Sequence, residues 1–461
     1  MTTRIVRTQV TGTSTKKFTL SAWVKKSSNT TGNDQVIFDN YASGSDRMTL
    51  YFTSSATLGF YAVKGGSDFN IVTNRVFRDV NAWYHIVLRI DTDQGNNAHR
   101  SRLYINGTEE TSFGTASYAT SGFVLPMGTS SYTTGFGWYG GGGSSVFDGC
   151  MSHLNFIDGE DRTPDYFGET DSTTGEWKIK TSISGVTYGN NGFFILKDGN
   201  SLTDQSGESN NFTLNTGTLT KTEDCPSNVF ATLNPTENYY GTSTLSNGNN
   251  TQNQSSSSNN FCMVPSTLGF NSGKWYWEMK CVSNSSNSEM WYGTGITSNY
   301  PGGNAAWLGL YANDYGVYGR PYATGKAATY TGSTRTDQGT SFSTGDIVGV
   351  AVDCDNLAMY VHKNGVYMPD ASNVTGVPTS GASRTGALYD ITAPSSTTKG
   401  FYFPAVCYYD VRAVVQSVNF GNGYFGTTAV SSAGTNASNN GIFEYDVPSG
   451  FTALSTKGLN L

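Results

Sequence analysis

The sequence contains few charged residues and no long apolar run, and both absences exclude classes of function. Asp, Glu, Lys and Arg make up 14% of the 461 residues, and the formal net charge is −7. Proteins that bind nucleic acid neutralise phosphates with clustered Lys and Arg, so we expect no nucleic-acid partner. No stretch approaches the roughly 18 apolar residues that span a bilayer, and the N-terminal sequence lacks an apolar signal core. We therefore expect no membrane insertion, no Sec-type export and synthesis in the cytosol.

The six cysteines lie far apart and form no C-x-x-C pair. Zinc sites and dithiol redox centres need closely spaced ligands, so neither is expected. Cys150, Cys281 and Cys354 lie inside strand-like runs, which predicts free thiols that pack as small apolar side chains.

Aromatic residues and glycine are abundant. Aromatics reach 13% of the chain, and 55 residues are glycine. Strands favour aromatic and β-branched side chains, whereas tight turns favour Gly and Asn. Strand-like runs recur roughly every 8 to 15 residues, with turn residues between them. We predict an all-β fold of two antiparallel jelly-roll β-sandwiches joined by an irregular linker.

One pattern occurs twice: an apolar strand that ends in Asp, a polar loop, and a short strand that ends in Asn-Gly. It occupies residues 85–107 and again residues 345–365. Asn-Gly supplies the two positive φ angles of a type I′ hairpin turn. Both faces of residues 347–352 are apolar, which predicts a central strand. The repeat predicts two sandwiches of similar build, each with its own central hairpin.

The change of composition along the chain predicts four regions. They are a first sandwich over 1–170, a connecting segment over 171–260, a second sandwich over 261–428, and a C-terminal extension over 429–461 that packs on the sandwiches. The polar, low-complexity stretch 246–260 is expected to be an exposed, mobile loop. One helical turn is expected over 163–169, with Thr163 as the cap and Pro164 in the first helical position.

Several runs resemble known families. KFTLSAWVKK, AWYHIVLRID, RLYINGTEE and FDGCMSHLNFIDGEDRTPDYFGE resemble the laminin-G and pentraxin-like branch of the concanavalin A-like lectin and glucanase superfamily. GKWYWEMK, GDIVGVAVDCDNLAMYVHKNGV, YFPAV and VNFG look like a SPRY domain, itself a concanavalin A-like sandwich. Their order resembles virion appendage proteins of tailed bacteriophages.

The resemblance implies a protein at the virion surface, such as a tail fibre, a tail-associated adhesin or a head decoration. It implies other virion proteins as partners and host-surface polysaccharide as a further contact. It also implies a homo-oligomer, with a trimer as one expectation, because virion appendages sit on symmetric particles.

The residues predict no enzyme. Glucanases of this superfamily carry acidic residues at alternate positions of one strand, and no such array is present. The densest acidic cluster, residues 158–165, lies in a turn, where solvated and capping carboxylates are common. His85, His99, His153 and His362 are far apart in the sequence, and none has a second histidine four residues away. A Gly-x-Ser-x-Gly nucleophile motif is absent.

Calcium is the one cofactor that the sequence brings into question. Asp91 and Asp93 are spaced like the opening of a calcium loop, but the distal bidentate Glu of that loop is missing. The alternative is a strand end followed by an ordinary hairpin loop.

Aromatic residues in glycine-rich loops are the best candidates for ligand contacts. Sugars stack their C–H faces on aromatic rings and exchange hydrogen bonds with polar neighbours. The alternative is that these rings fill the sandwich cores. The candidate ligand-binding residues are Trp138, Tyr139, Trp307, Tyr311, Tyr318, Arg320 and Tyr322.

Two functions from different classes remain open. The first is a non-enzymatic phage adhesin that contacts host glycans or neighbouring virion subunits. The second is a head decoration or structural adaptor that binds virion proteins only. A glycan depolymerase would be a third class, and release of reducing ends from host polysaccharide would reveal it.

Overall fold

The chain forms two compact units. The computed structural model describes residues 3–29, 32–197, 199, 201–238, 243–254, 261–284, 292–299, 306–319, 325–409 and 413–460. The first unit comprises residues 1–221 and 225–227, and the second comprises residues 222–224 and 228–461. Both units are built almost wholly from antiparallel β-strands, which confirms the predicted fold class.

The strands of the first unit follow one another through short turns. They are β1 (Arg4–Thr8), β2 (Lys17–Lys26), β3 (Gln35–Ser43), β4 (Asp46–Phe52), β5 (Thr57–Lys64), β6 (Ser67–Val76), β7 (Trp83–Asp91), β8 (Ser101–Ile105), β9 (Thr108–Glu110), β10 (Phe113–Ser117), β11 (Thr133–Phe136), β12 (Gly149–Asp158), β13 (Gly168–Thr170), β14 (Trp177–Ile179), β15 (Phe193–Ile195) and β16 (Thr213–Thr216).

Two sheets of the first unit enclose its core. The larger sheet has the order β10-β6-β5-β4-β3-β11-β1-β16, and the smaller has the order β15-β12-β2-β7-β8-β9. Alternate residues of each strand point inward, as the pleat requires. Phe18 and Leu20 of the smaller sheet and Leu50 and Phe60 of the larger sheet are buried in one apolar cluster. The strands therefore form a sandwich.

The second unit repeats this architecture. Its strands are β17 (Ser243–Ser246), β18 (Thr251–Gln254), β19 (Phe261–Pro265), β20 (Lys274–Asn284), β21 (Tyr292–Thr297), β22 (Tyr315–Tyr318), β23 (Ala327–Thr331), β24 (Thr334–Gln338), β25 (Ile347–Asp353), β26 (Ala358–Lys363), β27 (Val366–Tyr367), β28 (Tyr389–Asp390), β29 (Phe403–Tyr409), β30 (Val414–Asn419), β31 (Tyr424–Phe425), β32 (Thr428–Ala429) and β33 (Thr452–Ala453).

Its two main sheets also face each other across an apolar core. One has the order β17-β18-β30-β20-β25-β26-β27, with β28 paired to β26 and β33 paired to β20. The other has the order β19-β29-β21-β22-β23-β24. Trp277, Val350 and Val406 meet in the core between them.

The repeated hairpin pattern is confirmed in both units. β7 pairs with β8, and β25 pairs with β26. Asn106 and Gly107 have φ angles of 48° and 79°, and Asn364 and Gly365 have φ angles of 49° and 82°. β25 lies between β20 and β26 with every residue buried, as predicted for a central strand. Cys281 and Cys354 are buried, as predicted, whereas Cys150 is only partly buried.

Helical structure in the described residues is limited to short 3-10 segments. They are Asn97–His99, Pro164–Tyr166, Pro235–Glu237, Pro378–Ser383, Pro394–Ser396 and Gly458–Asn460. The predicted turn over 163–169 is the second of these, with Pro164 at its start. The side chain of Thr163 makes no capping hydrogen bond, so that part of the prediction is wrong. In the part of the chain that the structure describes, no helix is long and apolar enough to cross a membrane.

The polar stretch 246–260 is not the exposed loop that its composition predicts, as far as residue 254. Residues 251–254 form β18, which pairs with β30, and Gln252 is fully buried. The side chain of Gln416 donates to Gln252 Oε1 at 2.5 Å, and the hydroxyls of Thr251 and Ser417 lie 2.9 Å apart. The polar side chains are buried because the neighbouring strand supplies matching polar partners. Residues 255–260 lie outside the described residues.

The strands of the segment 171–260 are divided between the two units. β15 and β16 extend the two sheets of the first unit, where Phe193 and Phe212 enter the core. β17 and β18 extend a sheet of the second unit. Apolar residues of this segment, such as Phe193 and Phe212, are thus buried in the core of the unit that their strands join.

The C-terminal extension covers one outer face of the second unit. Phe443, Val447 and Phe451 pack with Tyr276 of β20 and Tyr360 of β26. These residues lie on the side of the sheet opposite the main core. The central strands of this sheet are therefore buried on both faces, by the main core on one side and by the extension on the other.

Candidate functional site

A cleft of about 330 Å³ lies on the outward face of the larger sheet of the first unit. Along β4 and β5, alternate side chains enter the core and the others turn outward. The outward and loop residues that line the cleft are Asp34, Val36, Arg47, Thr49, Tyr51, Tyr61, Tyr139 and Ser145. We call this the tyrosine cleft.

Two tyrosines of neighbouring strands form part of the lining of the tyrosine cleft. Tyr51 of β4 pairs with Gly59 of β5, and a Cβ atom at position 59 would lie 2.8 Å from Cζ of Tyr51. The absence of a side chain at Gly59 therefore leaves room for the Tyr51 ring. The hydroxyl of Tyr61 donates to Asp68 Oδ2 at 3.1 Å, which restrains the second ring.

The loop that carries Tyr139 is anchored by a buried carboxylate. Asp39 is fully buried, accepts the Gly140 N–H at 2.6 Å, and forms an ion pair with Arg4 at 3.1 Å. Burial raises the pKa of Asp39 to about 6, and the Arg4 charge opposes this rise. The ring of Tyr139 stands edge-on to Tyr41 at 5.5 Å. The loop is held against β3 and presents Tyr139 to the cleft.

Trp138, the other residue predicted in this loop, is not among the residues that line the cleft. Its indole N–H donates to the carbonyl of Gly143 at 3.0 Å, and its own carbonyl accepts from Arg4. Trp138 therefore shapes the loop.

Arg47 lies between two rings of the tyrosine cleft. Its guanidinium carbon is 5.1 Å from the ring centre of Tyr61 and 6.0 Å from that of Tyr139. Cation–π attraction holds a guanidinium over an aromatic face at such distances. The positive charge of Arg47 is thereby placed in the cleft by two of its walls.

The cleft tyrosines keep their protons at neutral pH. Burial raises the pKa of Tyr51, Tyr61 and Tyr139 above the ordinary value. A protonated phenol both donates and accepts hydrogen bonds, and its ring offers an apolar face. The cleft can therefore stack against the C–H face of a sugar and exchange hydrogen bonds with its hydroxyl groups.

Two predicted contact residues of the second unit, Tyr318 and Trp307, pack against other side chains of the same unit. Tyr318 is fully buried, and its hydroxyl donates to the carbonyl of Leu308 at 2.8 Å. Trp307 packs edge-on against Tyr330 at 4.8 Å and contacts Phe261. The segment around Trp307 and Leu308 covers this outer sheet face, so Tyr318 is an interior residue and not a ligand contact.

Tyr311, another candidate of the second unit, is 37% exposed. Arg320 and Tyr322 lie outside the described residues. Of the predicted contact residues that the structure describes, Tyr139 is the one that lines the tyrosine cleft.

The two aspartates considered for calcium are engaged by lysines. Asp91 pairs with Lys17 at 2.9 Å and accepts from Gln94, and Asp93 pairs with Lys16 at 3.0 Å. Among the described residues, no three His, Cys, Asp or Glu side chains are grouped so that they could hold a metal ion. A cation at Asp91 would have to displace an ammonium group, and calcium binding here stays a prediction that calorimetric titration can test.

The acidic cluster 158–165 makes structural contacts. Asp158 accepts the backbone N–H groups of Thr13 and Ser14, and Asp161 pairs with Arg89 at 3.0 Å. Glu160 pairs with Arg162 at 2.7 Å. These carboxylates hold the end of β12 to neighbouring segments.

Arg47, Tyr51 and Tyr61 line the tyrosine cleft but are not among the candidates predicted from the sequence. The predicted candidates are aromatic residues and an arginine expected in loops, whereas these three residues lie in strands. The available signal was alternation. The core of the first unit takes Met48, Leu50, Phe52, Leu58, Phe60 and Ala62 from the runs RMTLYF and TLGFYAV, and Arg47, Tyr51 and Tyr61 lie on the other face. Outward aromatic residues on adjacent strands mark a surface that can bind.

Comparison with known proteins gives one family match and several similar structures. Residues 2–165 match the family model described as the concanavalin A-like lectin/glucanases superfamily. A search of curated proteins gives no match.

A SAP-like pentraxin from Limulus polyphemus is 21% identical, with a TM-score of 0.27, and the match covers 35% of this chain and 72% of the pentraxin. The SPRY domain of human HERC1 is 14% identical, with a TM-score of 0.29, over 40% of this chain and 96% of that domain. The TRIM65 PSpry domain is 12% identical, with a TM-score of 0.28, over 41% of this chain and 91% of that domain. The chain thus consists of two antiparallel β-sandwiches, and residues 2–165, in the first of them, match the family model of the concanavalin A-like lectin/glucanases superfamily.

Proposed function

We propose that the chain is a non-enzymatic glycan-binding protein and that its first unit holds the sugar in the tyrosine cleft. The observation that carries the proposal is the grouping of three partly exposed tyrosine rings with Arg47 and Asp34 in one concave surface. Rings supply stacking area, and the charged side chains supply hydrogen bonds to hydroxyl groups. Domains with the concanavalin A-like lectin fold are usually binding domains without catalysis, which supports this reading.

The biological setting of the proposal comes from the order of the sequence motifs. That order resembles tail fibres and tail-associated adhesins of tailed bacteriophages, so we place the protein at the virion surface as a homo-oligomer. There it contacts host-surface polysaccharide or neighbouring virion subunits.

A glycan array probed with the full chain tests the binding function. Tyr61→Ala removes one stacking face and should weaken binding to the best glycan by about 10-fold, since one aromatic contact is worth roughly 1.5 kcal/mol. Tyr311→Ala removes an exposed tyrosine of the second unit and should leave binding unchanged.

The alternative outcomes assign the other functions. No binding to any glycan or to host cells would overturn the proposal and favour a decoration or adaptor that binds only virion proteins. Release of reducing ends from a bound polysaccharide would show a depolymerase.

A further inference from the structure

Arg47 differs from the other partly buried arginines of the chain. Arg4, Arg89 and Arg162 pair with carboxylates at 2.7 to 3.1 Å, and Arg100 donates to backbone carbonyls. The guanidinium of Arg47 makes no hydrogen bond or ion pair with the described residues, and its central carbon lies 5.1 Å and 6.0 Å from the ring centres of Tyr61 and Tyr139. Its five N–H donors are therefore available to a ligand.

The neighbouring acidic groups do not neutralise Arg47. Asp39 is paired with Arg4, Asp46 is paired with Lys64, and Asp68 accepts the Tyr61 hydroxyl. Asp34 also lines the cleft, where its carboxylate accepts the Ser54 N–H. The cleft consequently contains a guanidinium that forms no ion pair with any acidic side chain in the described part of the chain, although the Asp34 carboxylate lines the same cleft.

The two charges of the cleft lie near different tyrosines. Burial is the largest cause of the raised pKa of all three tyrosines; Asp34 adds to the rise at Tyr51, whereas Arg47 opposes the rise at Tyr61 and Tyr139. A ligand in the cleft therefore meets a positive charge beside Tyr61 and Tyr139 and a negative charge beside Tyr51. The first suits an anionic group, and the second suits hydroxyl donors.

A guanidinium that two rings hold in place is preorganised for a planar anion. Arginine binds carboxylates through two parallel N–H···O bonds, and a side chain whose rotamer is already fixed loses less entropy when it does so. A sugar carboxylate beside a pyranose ring also brings the C–H face that the tyrosines can stack on.

We propose that the tyrosine cleft selects acidic glycans, with the carboxylate of a uronic or nonulosonic acid unit bound by Arg47 and the adjoining sugar face stacked on Tyr61 and Tyr139. This inference rests on the proposed glycan-binding function and names the class of sugar. Hydroxyl groups of the same unit or of the next one donate to Asp34.

The test is an array of paired polysaccharides probed with the full chain at one fixed ionic strength. Each pair consists of a polymer that bears carboxylates, namely polygalacturonate or polysialic acid, and the same polymer after chemical reduction of its carboxyl groups. A sulfated neutral polymer forms a further arm. The expected result is binding to at least one carboxylate polymer about 10- to 100-fold tighter than to its reduced form, the range for charged hydrogen bonds.

Two variants separate Arg47 from the overall charge. Arg47→Gln should abolish the preference for the carboxylate polymer while binding to the reduced polymer persists. Arg78→Gln removes one exposed positive charge of the same unit and should retain the full preference. Arg47→Lys should retain only part of it, since an ammonium cannot form the bidentate pair.

The outcomes distinguish this inference from the function on which it rests. Equal binding to both members of every pair, tighter binding to the sulfated polymer, or binding to neutral glycans only would overturn the acidic-sugar inference and leave glycan binding intact. An Arg47→Gln variant with the wild-type preference would also overturn it. No binding to any glycan would overturn both.

Discussion

The two units share the pairing of their central strands, β2, β7 and β8 in the first and β20, β25 and β26 in the second, which we call the frame. They differ in the segments that cover the outer faces of these strands. In the first unit Lys17 pairs with Asp91 at 2.9 Å, and in the second Lys274 pairs with Asp353 at 3.0 Å. Each pair joins the start of one central strand to the end of the next, where the two residues stand opposite each other in register. Lys17 and Lys274 therefore mark equivalent positions in β2 and β20, and the two strands can be compared residue by residue from them.

The asparagine of the Asn-Gly turn makes the same pair of hydrogen bonds in both units. Asn106 Oδ1 accepts the backbone N–H of His85, and Asn364 Oδ1 accepts that of Ile347, both at 2.8 Å. The backbone N–H groups of Asn106 and Asn364 bond back to the carbonyls of the same two residues. The asparagine of the turn therefore fixes the start of β7 in the first unit and of β25 in the second.

The outer faces above this frame are covered by different segments. Four residues after the reference lysines, Ser21 stands in the first unit and Glu278 in the second. Ser21 lies 2.9 Å from His85 Nε2, and Trp177 donates to His85 Nδ1 at 2.9 Å. In the second unit, backbone N–H groups of the C-terminal extension donate to Glu278.

Glu278 is the centre of a buried polar network. Its carboxylate accepts the N–H groups of Glu444 and Tyr445 at 2.9 Å and the Tyr276 hydroxyl at 3.0 Å. The Gly365 N–H donates to His362 Nδ1, so Nε2 carries the proton and faces the Tyr276 hydroxyl at 2.6 Å. A hydrogen-bonded chain thus runs from the imidazole through the phenol to the carboxylate.

The opposite sheets differ as well, and this difference separates the candidate site from the core. Tyr61 on the outer face of the first unit's larger sheet is partly exposed. Tyr318 on the outer face of the corresponding sheet of the second unit is fully buried below Leu308. A shared frame therefore does not imply a shared site, because the covering segments decide which faces remain open.

The largest effect should come from removing the acceptor that holds the C-terminal extension. Glu278→Ala leaves two backbone N–H groups and the O–H of Tyr276 without their buried acceptor, at a cost of about 3–5 kcal/mol. Ser21→Ala at the matching position should cost about 1 kcal/mol. Amide hydrogen exchange of residues 443–453 and 168–179 measures the local opening free energies in the full chain, and equal losses in the two units would contradict the comparison.

The pH dependence of the outer face around Glu278 should differ from that of the matching face of the first unit, around Ser21. Burial raises the pKa of Glu278 to about 7, although its hydrogen bonds oppose the rise. A raised carboxyl pKa contributes stability that is complete below about 4.5 and is lost as the pH rises through about 7. Burial lowers the pKa of His362 to about 4, so its contribution is complete above about 6.5 and is lost as the pH falls through about 4.

On the matching face of the first unit, the group beside Ser21 is of the second kind, namely His85. Burial lowers the pKa of His85 to about 3, and Ser21 does not titrate in this range. Hydrogen exchange over 443–453, corrected for the intrinsic pH dependence, should show an opening free energy that falls between about pH 4.5 and 7. Glu278→Gln should remove that fall, and an unchanged profile in the variant would refute the assignment to Glu278.

A glycine distinguishes the two central strands. Two residues after His85 the first unit has the buried Val87, and two residues after Ile347 the second unit has Gly349. A Cβ atom at position 349 would lie 1.9 Å from His362 Nε2. Gly349→Ala should therefore cost about 1–3 kcal/mol through overpacking. In a double-mutant cycle measured by denaturant unfolding, His362→Ala should reduce that cost, and strict additivity would argue against the contact.

The frame was predictable because its signals are local. Asn-Gly after a short strand specifies a type I′ turn, and an apolar strand closed by Asp recurs before each one. The buried strand β18 was not predictable from its own composition. Gln252 is buried because Gln416, more than 160 residues away, lies on the adjacent strand and completes its hydrogen bonds.

The candidate site was predictable only in part for a related reason. Tyr139 stands out as an aromatic residue in a glycine-rich loop. Tyr61 and Tyr318 both lie in short aromatic strands, and no local signal distinguishes the open sheet face from the covered one. That distinction depends on the segment around Leu308, whose position is a property of the folded second unit.

The smallest expected effect concerns the shared corner itself and should be nearly equal in the two units. Asn106→Ala and Asn364→Ala each remove a side-chain acceptor and introduce a residue that tolerates positive φ less well than Asn. Each should lower the free energy of unfolding by about 1–2 kcal/mol. Asn364 also donates to Asp346 at 2.7 Å, so its variant should lose slightly more. Asn→Asp at either position keeps the acceptor and should cost less than Asn→Ala, as denaturant unfolding can show. A large loss in one unit and none in the other would mean that the corner does not fix the frame in both.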